Sequence, residues 1–142
     1  MKLPRSLSGW TIAVFGAMAL LMGAVGLAQP DILLGLLGFD VVPAAQRADG
    51  DYTRTFMAAS SMASFNMGVY YLLAAVTDWR PFFRFTVVFR LVTTVVFSGL
   101  ILLDVAPARF VGVAAWEGLG AVATGVALLV ERRRGERATA TS

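Results

Sequence analysis

The chain has 142 residues, of which 58% are hydrophobic and only 15% charged, against the roughly 45–50% and 25% of a soluble domain. A water-soluble fold of this size has too little interior for that much apolar surface, so the composition points to a membrane protein. The net charge of +3 does not indicate nucleic acid as a partner, because the basic residues sit at the ends of apolar runs and in a short tail instead of forming a stripe.

Neither cysteine nor histidine occurs. Disulfides, thiolate metal sites, cysteine nucleophiles and serine–histidine triads are thereby excluded, and haem, zinc, copper and non-haem iron centres lose their usual ligands. The only lysine is Lys2, too close to the amino terminus for a mid-membrane Schiff base. No metal and no cofactor is expected.

Four apolar runs approach the length of about 20 residues that a helix needs to cross a hydrocarbon core of roughly 30 Å. They are Trp10–Ala28, Phe56–Val76, Phe82–Leu103 and Phe110–Val130. The first follows Lys2 and Arg5 and ends at Gln29-Pro30-Asp31, where proline stops one helix and suits the first turn of the next. It also has features of a signal peptide, with Gly26-Leu27-Ala28 as a small-residue site, but exceeds the roughly 7–15 apolar residues of such a segment.

The stretch Pro30–Phe39 is apolar but too short to span, and reads as an interfacial or re-entrant helix. A polar loop with Asp40, Asp49 and Asp51 follows. The second run carries Ser60, Ser64 and Gly68 at a spacing of four, a packing seam in lipid, and Asn66 and Tyr70 together on a face. Phe82, Phe83 and Phe85, beside Arg80 and Arg84, read as an interfacial girdle, with Trp10 and Trp79 as anchors at the inner interface and Tyr52 at the outer one.

The third and fourth runs each contain one ionisable residue deep in apolar sequence. Arg90 lies roughly 13 Å from the inner end of its helix and Glu117 roughly 20 Å from the inner end of the next, at about 1.5 Å per residue. A short turn around Asp104–Pro107 makes these helices antiparallel neighbours, and the difference of roughly 6 Å is within reach of an arginine side chain. A buried Arg90–Glu117 pair is therefore expected, with Thr94 on the Arg90 face and Thr124 on the Glu117 face. Asn66 and Tyr70 overlap it in depth. Arg90, Glu117, Asn66, Tyr70, Thr94 and Thr124 form the candidate ligand-binding cluster; its alternative is a structural pair that specifies which helices meet. The tail from residue 131, with Arg132–Arg134, is polar and expected to be disordered beyond Arg137.

With the amino terminus inside, Lys2, Arg5, Arg80, Arg84 and the arginines of the tail are cytoplasmic, and only Arg47, Arg54 and Arg109 lie outside. The positive-inside bias then puts both termini in the cytoplasm. The expected fold is all-α, a single domain of four transmembrane helices with a short interfacial or re-entrant helix after the first, in a plasma membrane of the bacterial inner-membrane type.

The segments NMGVYYLLAA from Asn66, FRFTVVFRL from Phe83 and APARFVGVAAWEGLGA from Ala106 resemble small uncharacterised four-helix integral membrane proteins of bacteria. That resemblance covers most of the chain, rests on spaced Gly, Arg and acidic positions, and implies no activity. Small multidrug-resistance transporters share the size and helix count, but their proton-coupling glutamate lies in the first helix, whereas the mid-membrane glutamate here is in the fourth.

The leading functional expectation is a binding or accessory protein for a lipid-like or apolar ligand or a membrane partner. A small oligomeric transporter using Glu117 comes second. An intramembrane enzyme is third, because Glu117 and Tyr70 offer acid–base groups but no activated nucleophile is visible. Membrane lipids, another copy of the chain or another membrane protein are the expected partners.

Overall fold

The computed structural model describes residues 3–140, so Lys2 and the last two residues of the tail lie outside the described residues. The described chain is all-α: α1 (Leu7–Ala28), α2 (Pro30–Leu37), α3 (Thr53–Thr77), α4 (Arg80–Leu102) and α5 (Val111–Ala140), with short 3-10 turns at Ala44–Gln46 and Ala108–Phe110. No strand occurs among the described residues.

Among the described residues three helices are long and apolar enough to cross a membrane: α1, α4 and the stretch Ala108–Ala138, which takes in all but the end of α5. Of the four expected spans, α3 is the one outside this set. Its 25 residues give ample length, but Ser60, Ser61, Ser64, Asn66, Tyr70 and Tyr71 dilute its apolar character. Two of those hydroxyls are bonded to backbone carbonyls, Ser61 to Met57 O at 2.7 Å and Ser64 across to Ala19 O of α1 at 2.9 Å.

The helices begin and end for local reasons. Ser6 caps α1 by accepting the Gly9 N–H, a group that has no partner within the helix. Pro30 starts α2 and Pro81 lies in the first turn of α4, where the missing N–H is no loss. α2 ends at Gly38, whose φ of 89° is left-handed. α3 ends at Asp78, also left-handed with φ 51°, a place where glycine is the usual choice. The side chain of Asp78 accounts for the aspartate, as described below. Beyond Glu131 the chain does not disorder at Arg137 but stays helical to Ala140; Arg, Glu and Ala favour helix, and Arg132 pairs with Glu136 one turn on at 2.8 Å.

α1 lies antiparallel to both α3 and α5, and α4 lies antiparallel to α5. The α1–α3 contact is close because small residues face each other. A Cβ on Gly16 would come within 2.8 Å of the Tyr71 Cβ, and one on Gly68 within 2.6 Å of the Leu20 N. Ser61, not Ser60, faces α1: it is 2% exposed and packs against Gly26. The core combines Ile12, Phe15, Tyr71, Ala74, Ala75 and Phe83. Phe83 is fully buried, so it belongs to this core and not to a girdle, while Phe85 is exposed. Trp10 and Trp79 are exposed at one end of the helices and Tyr52 at the other.

α2 folds back on α1 and α3 and buries Leu34. Its Asp31 is bound by Arg54 and Arg47, the latter at 3.3 Å. The hydrogen bond from Arg54 is the largest influence holding the Asp31 carboxyl below the usual range. α2, the loop and the start of α3 are thereby tied together.

Gly68→Ala places a methyl against the backbone of α1 and is expected to destabilise the fold by about 1–3 kcal/mol, the usual cost of overpacking. Gly99→Ala meets nothing within 4 Å and is expected to be neutral or stabilising by up to about 1 kcal/mol, the helix preference for alanine. Unfolding of the two variants in detergent micelles reads the opposite signs.

Candidate functional site

Arg90 projects from α4 into the junction of the other three long helices. Its guanidinium carbon stands 3.6 Å from the centre of the Phe15 ring on α1 and 5.1 Å from that of Tyr71 on α3. On α5 its Nε is 3.6 Å from Glu117 Oε2. Arg90 is 4% exposed. Gly120 makes room for it: any side chain there would collide with Nη1 and with the Phe15 ring. The Phe15 ring in turn leans on Trp116 at 4.4 Å between centres.

The polar contacts around this cation are long. Nε donates to the Tyr71 hydroxyl at 3.5 Å, and Nη1 has no hydrogen-bond partner although it is buried. The ring faces of Phe15 and Tyr71 supply much of the stabilisation, since a desolvated cation over an aromatic face gains about 2 kcal/mol. Glu117 differs from its partner. Its side chain keeps 23% of its surface open, and among the described residues its carboxylate has the 3.6 Å contact with Arg90 and no hydrogen bond. The pair thus consists of a sealed cation and an acceptor with spare lone pairs.

The remaining candidates divide. Thr94 stays beside Arg90, donating to the Arg90 carbonyl at 2.8 Å and packing against Gly118. Thr124 is fully buried but bonds Thr11 of α1 at 3.0 Å, about two helical turns along α5 from Glu117. Asn66 and Tyr70 make no hydrogen bond or ion pair with it, and Tyr70 is 54% exposed. Tyr71 meets Arg90 in its place. A face shared by residues 66 and 70 was legible in the spacing; which neighbour turns inward depends on the α1–α3 seam, which the spacing of one helix does not reveal.

A second polar cluster joins the opposite ends of the chain. Ser8, fully buried, donates through its N–H and its hydroxyl to the two oxygens of Glu131, at 2.9 and 2.8 Å. Arg80 binds Glu131 through Nη1 and Asp78 through Nε, the latter at 3.0 Å. Ser6 donates to Asp78, which explains an aspartate at a left-handed position. Burial alone opposes the Asp78 charge, but the Ser6 hydroxyl and the Arg80 guanidinium outweigh it and hold the carboxyl below its usual range. Arg80 reads in the sequence as an orientation signal only. The two acids opposite it, Asp78 and Glu131, at the same predicted end, were the signal for this cluster.

Neutralising the mid-depth pair is expected to act unequally. Glu117→Leu leaves an arginine that cannot discharge in a sealed interior, with a loss of about 3–5 kcal/mol by analogy with buried pairs in soluble proteins. Arg90→Leu leaves a partly open carboxyl that can take up a proton, and is expected to cost less. The double variant is expected to recover most of the larger loss, and unfolding of all four proteins in micelles measures the coupling. Additive losses would show that the two charges are energetically independent.

Comparison with family models, curated proteins and solved structures finds no match, so the chemistry of the site is read from its own geometry.

Proposed function

We propose that the chain is a multi-pass membrane protein of the binding or accessory kind, in which Glu117 presents an acceptor at mid-membrane depth to a lipid-like or apolar ligand, or to a helix of a partner. The observation that carries this reading is the asymmetry of the pair. Arg90 is sealed and fixes the charge balance, while the Glu117 carboxylate is partly open, unbonded except for one contact at 3.6 Å, and free to accept from a hydroxyl or a cation. Ionisable groups at this depth are functional by default.

In this reading α3 is the fourth span. Its polar residues support that placement, because Ser61 and Ser64 are bonded within the protein and Gly68 and Ala75 are covered by α1. Four spans put both termini on one side, and the balance of charge favours the cytoplasm. Arg5, Arg80, Arg84 and the arginines of α5 gather at one end, whereas two of the three arginines at the other end, Arg47 and Arg54, are paired with Asp31. The membrane is then the plasma membrane, of the bacterial inner type that the resemblance implies. With no native cysteine, a single cysteine at Asp49 is expected to react with an impermeant reagent in intact cells and one at Thr139 is not. The reverse pattern inverts the topology.

A small oligomeric transporter coupled to Glu117 is the second reading, favoured by the same open carboxylate. The two part in one experiment on purified protein and its Glu117→Gln variant. Binding predicts an apolar species with a hydroxyl or cationic group that co-purifies with the wild type and is lost from the variant. Transport predicts Glu117-dependent proton flux in proteoliposomes. A variant unchanged in both measurements makes the pair purely structural.

A further inference from the structure

At the end of the helices that carries Ser6 and Asp78, a groove of about 750 Å³ runs along α3 between Val69, Leu72, Leu73 and Val76, with Arg5 and Asp78 at its mouth. From residue 69 to residue 77 the helix rises roughly 12 Å, close to the depth of one leaflet of a core roughly 30 Å thick. The four apolar residues follow the spacing of one helix face.

The polar groups at the mouth are spoken for, with one exception. The Thr77 hydroxyl donates to Leu73 O at 2.7 Å. Asp78 is held by Ser6 and Arg80. Arg5 makes no hydrogen bond or ion pair within 4 Å among the described residues and acts on Asp78 only at longer range. A free guanidinium above an apolar slot of leaflet depth is complementary to an anion with an acyl chain beneath it, and guanidinium matches phosphate oxygens in a bidentate fork.

We infer that this groove holds one anionic glycerophospholipid, an acyl chain lying on Val69, Leu72, Leu73 and Val76 and the phosphate on Arg5. The inference rests on the membrane reading of the chain but not on the role of Glu117, whose site lies elsewhere.

The test is native mass spectrometry of the full-length protein in detergent with phosphatidylglycerol and phosphatidylcholine of identical acyl chains. The wild type is expected to retain phosphatidylglycerol about fivefold better, the equivalent of the roughly 1 kcal/mol that one basic residue contributes at an anionic lipid surface. Arg5→Gln is expected to abolish the preference and Arg5→Lys to keep most of it. Val76→Trp, which fills the slot, is expected to lower retention of both lipids. Arg133→Gln is expected to leave the preference intact. Equal retention of the two lipids by the wild type overturns the inference, as does a preference that survives Arg5→Gln or falls equally with Arg133→Gln, since the attraction is then diffuse. Release of the protein from membranes by carbonate would instead refute the membrane reading itself.

Discussion

An arginine cannot give up its charge, and the whole arrangement of helices answers to where that charge is kept. Arg90 leaves α4 and is received by a ring from α1, a ring and a hydroxyl from α3, and a carboxylate and a bare glycine backbone from α5. Each neighbouring helix can supply its part only if it stands at one distance and one rotation. The close seam of Gly16 and Gly68 brings Tyr71 to the cation, and the absence of a side chain at Gly120 lets α4 approach α5 without a collision. A buried charge of this kind contributes less to net stability than to uniqueness, because apolar substitutes would pack as well but would not single out one set of partners. The same specificity operates at both ends of the helices, where Asp31 gathers Arg47 and Arg54, and Arg80 gathers Asp78 and Glu131.

Much of this was written in the apolar runs. Apart from the end of α5, which runs ten residues past Val130 to Ala140, the long helices begin and end within a few residues of the expected boundaries, because proline, serine and aspartate mark those boundaries by steric and capping rules that need no tertiary knowledge. The meeting of Arg90 with Glu117 was legible from depth and a short connection. What stayed hidden depends on rotation about a helix axis. Tyr70 and Tyr71 are chemically alike and adjacent in the chain, yet one lies on the outer surface and the other touches Arg90. Phe83 likewise sits among aromatic neighbours that look interfacial, and only the α1–α3 packing draws it into the core. α3 differs in another way: a helix that buries its polar atoms against a neighbour is poorer in apolar residues than one surrounded by lipid, so its length and lack of charge are matched by lower apolar content than in the other three long helices.

The bond between Ser8 and Glu131 spans 123 positions of sequence, and this sets an order on biosynthesis. A chain leaving the ribosome completes α1 long before α5 exists, so the buried donors of Ser8 and the outer nitrogen of Arg80 stay without their Glu131 acceptor until α5 has been made. Closure of that cluster therefore reports that α5 has docked on α1. A product truncated before Glu131 would keep α1, α3 and α4, with Arg80 held by Asp78 alone and the buried Ser8 donors left without their acceptor at the common end of the helices.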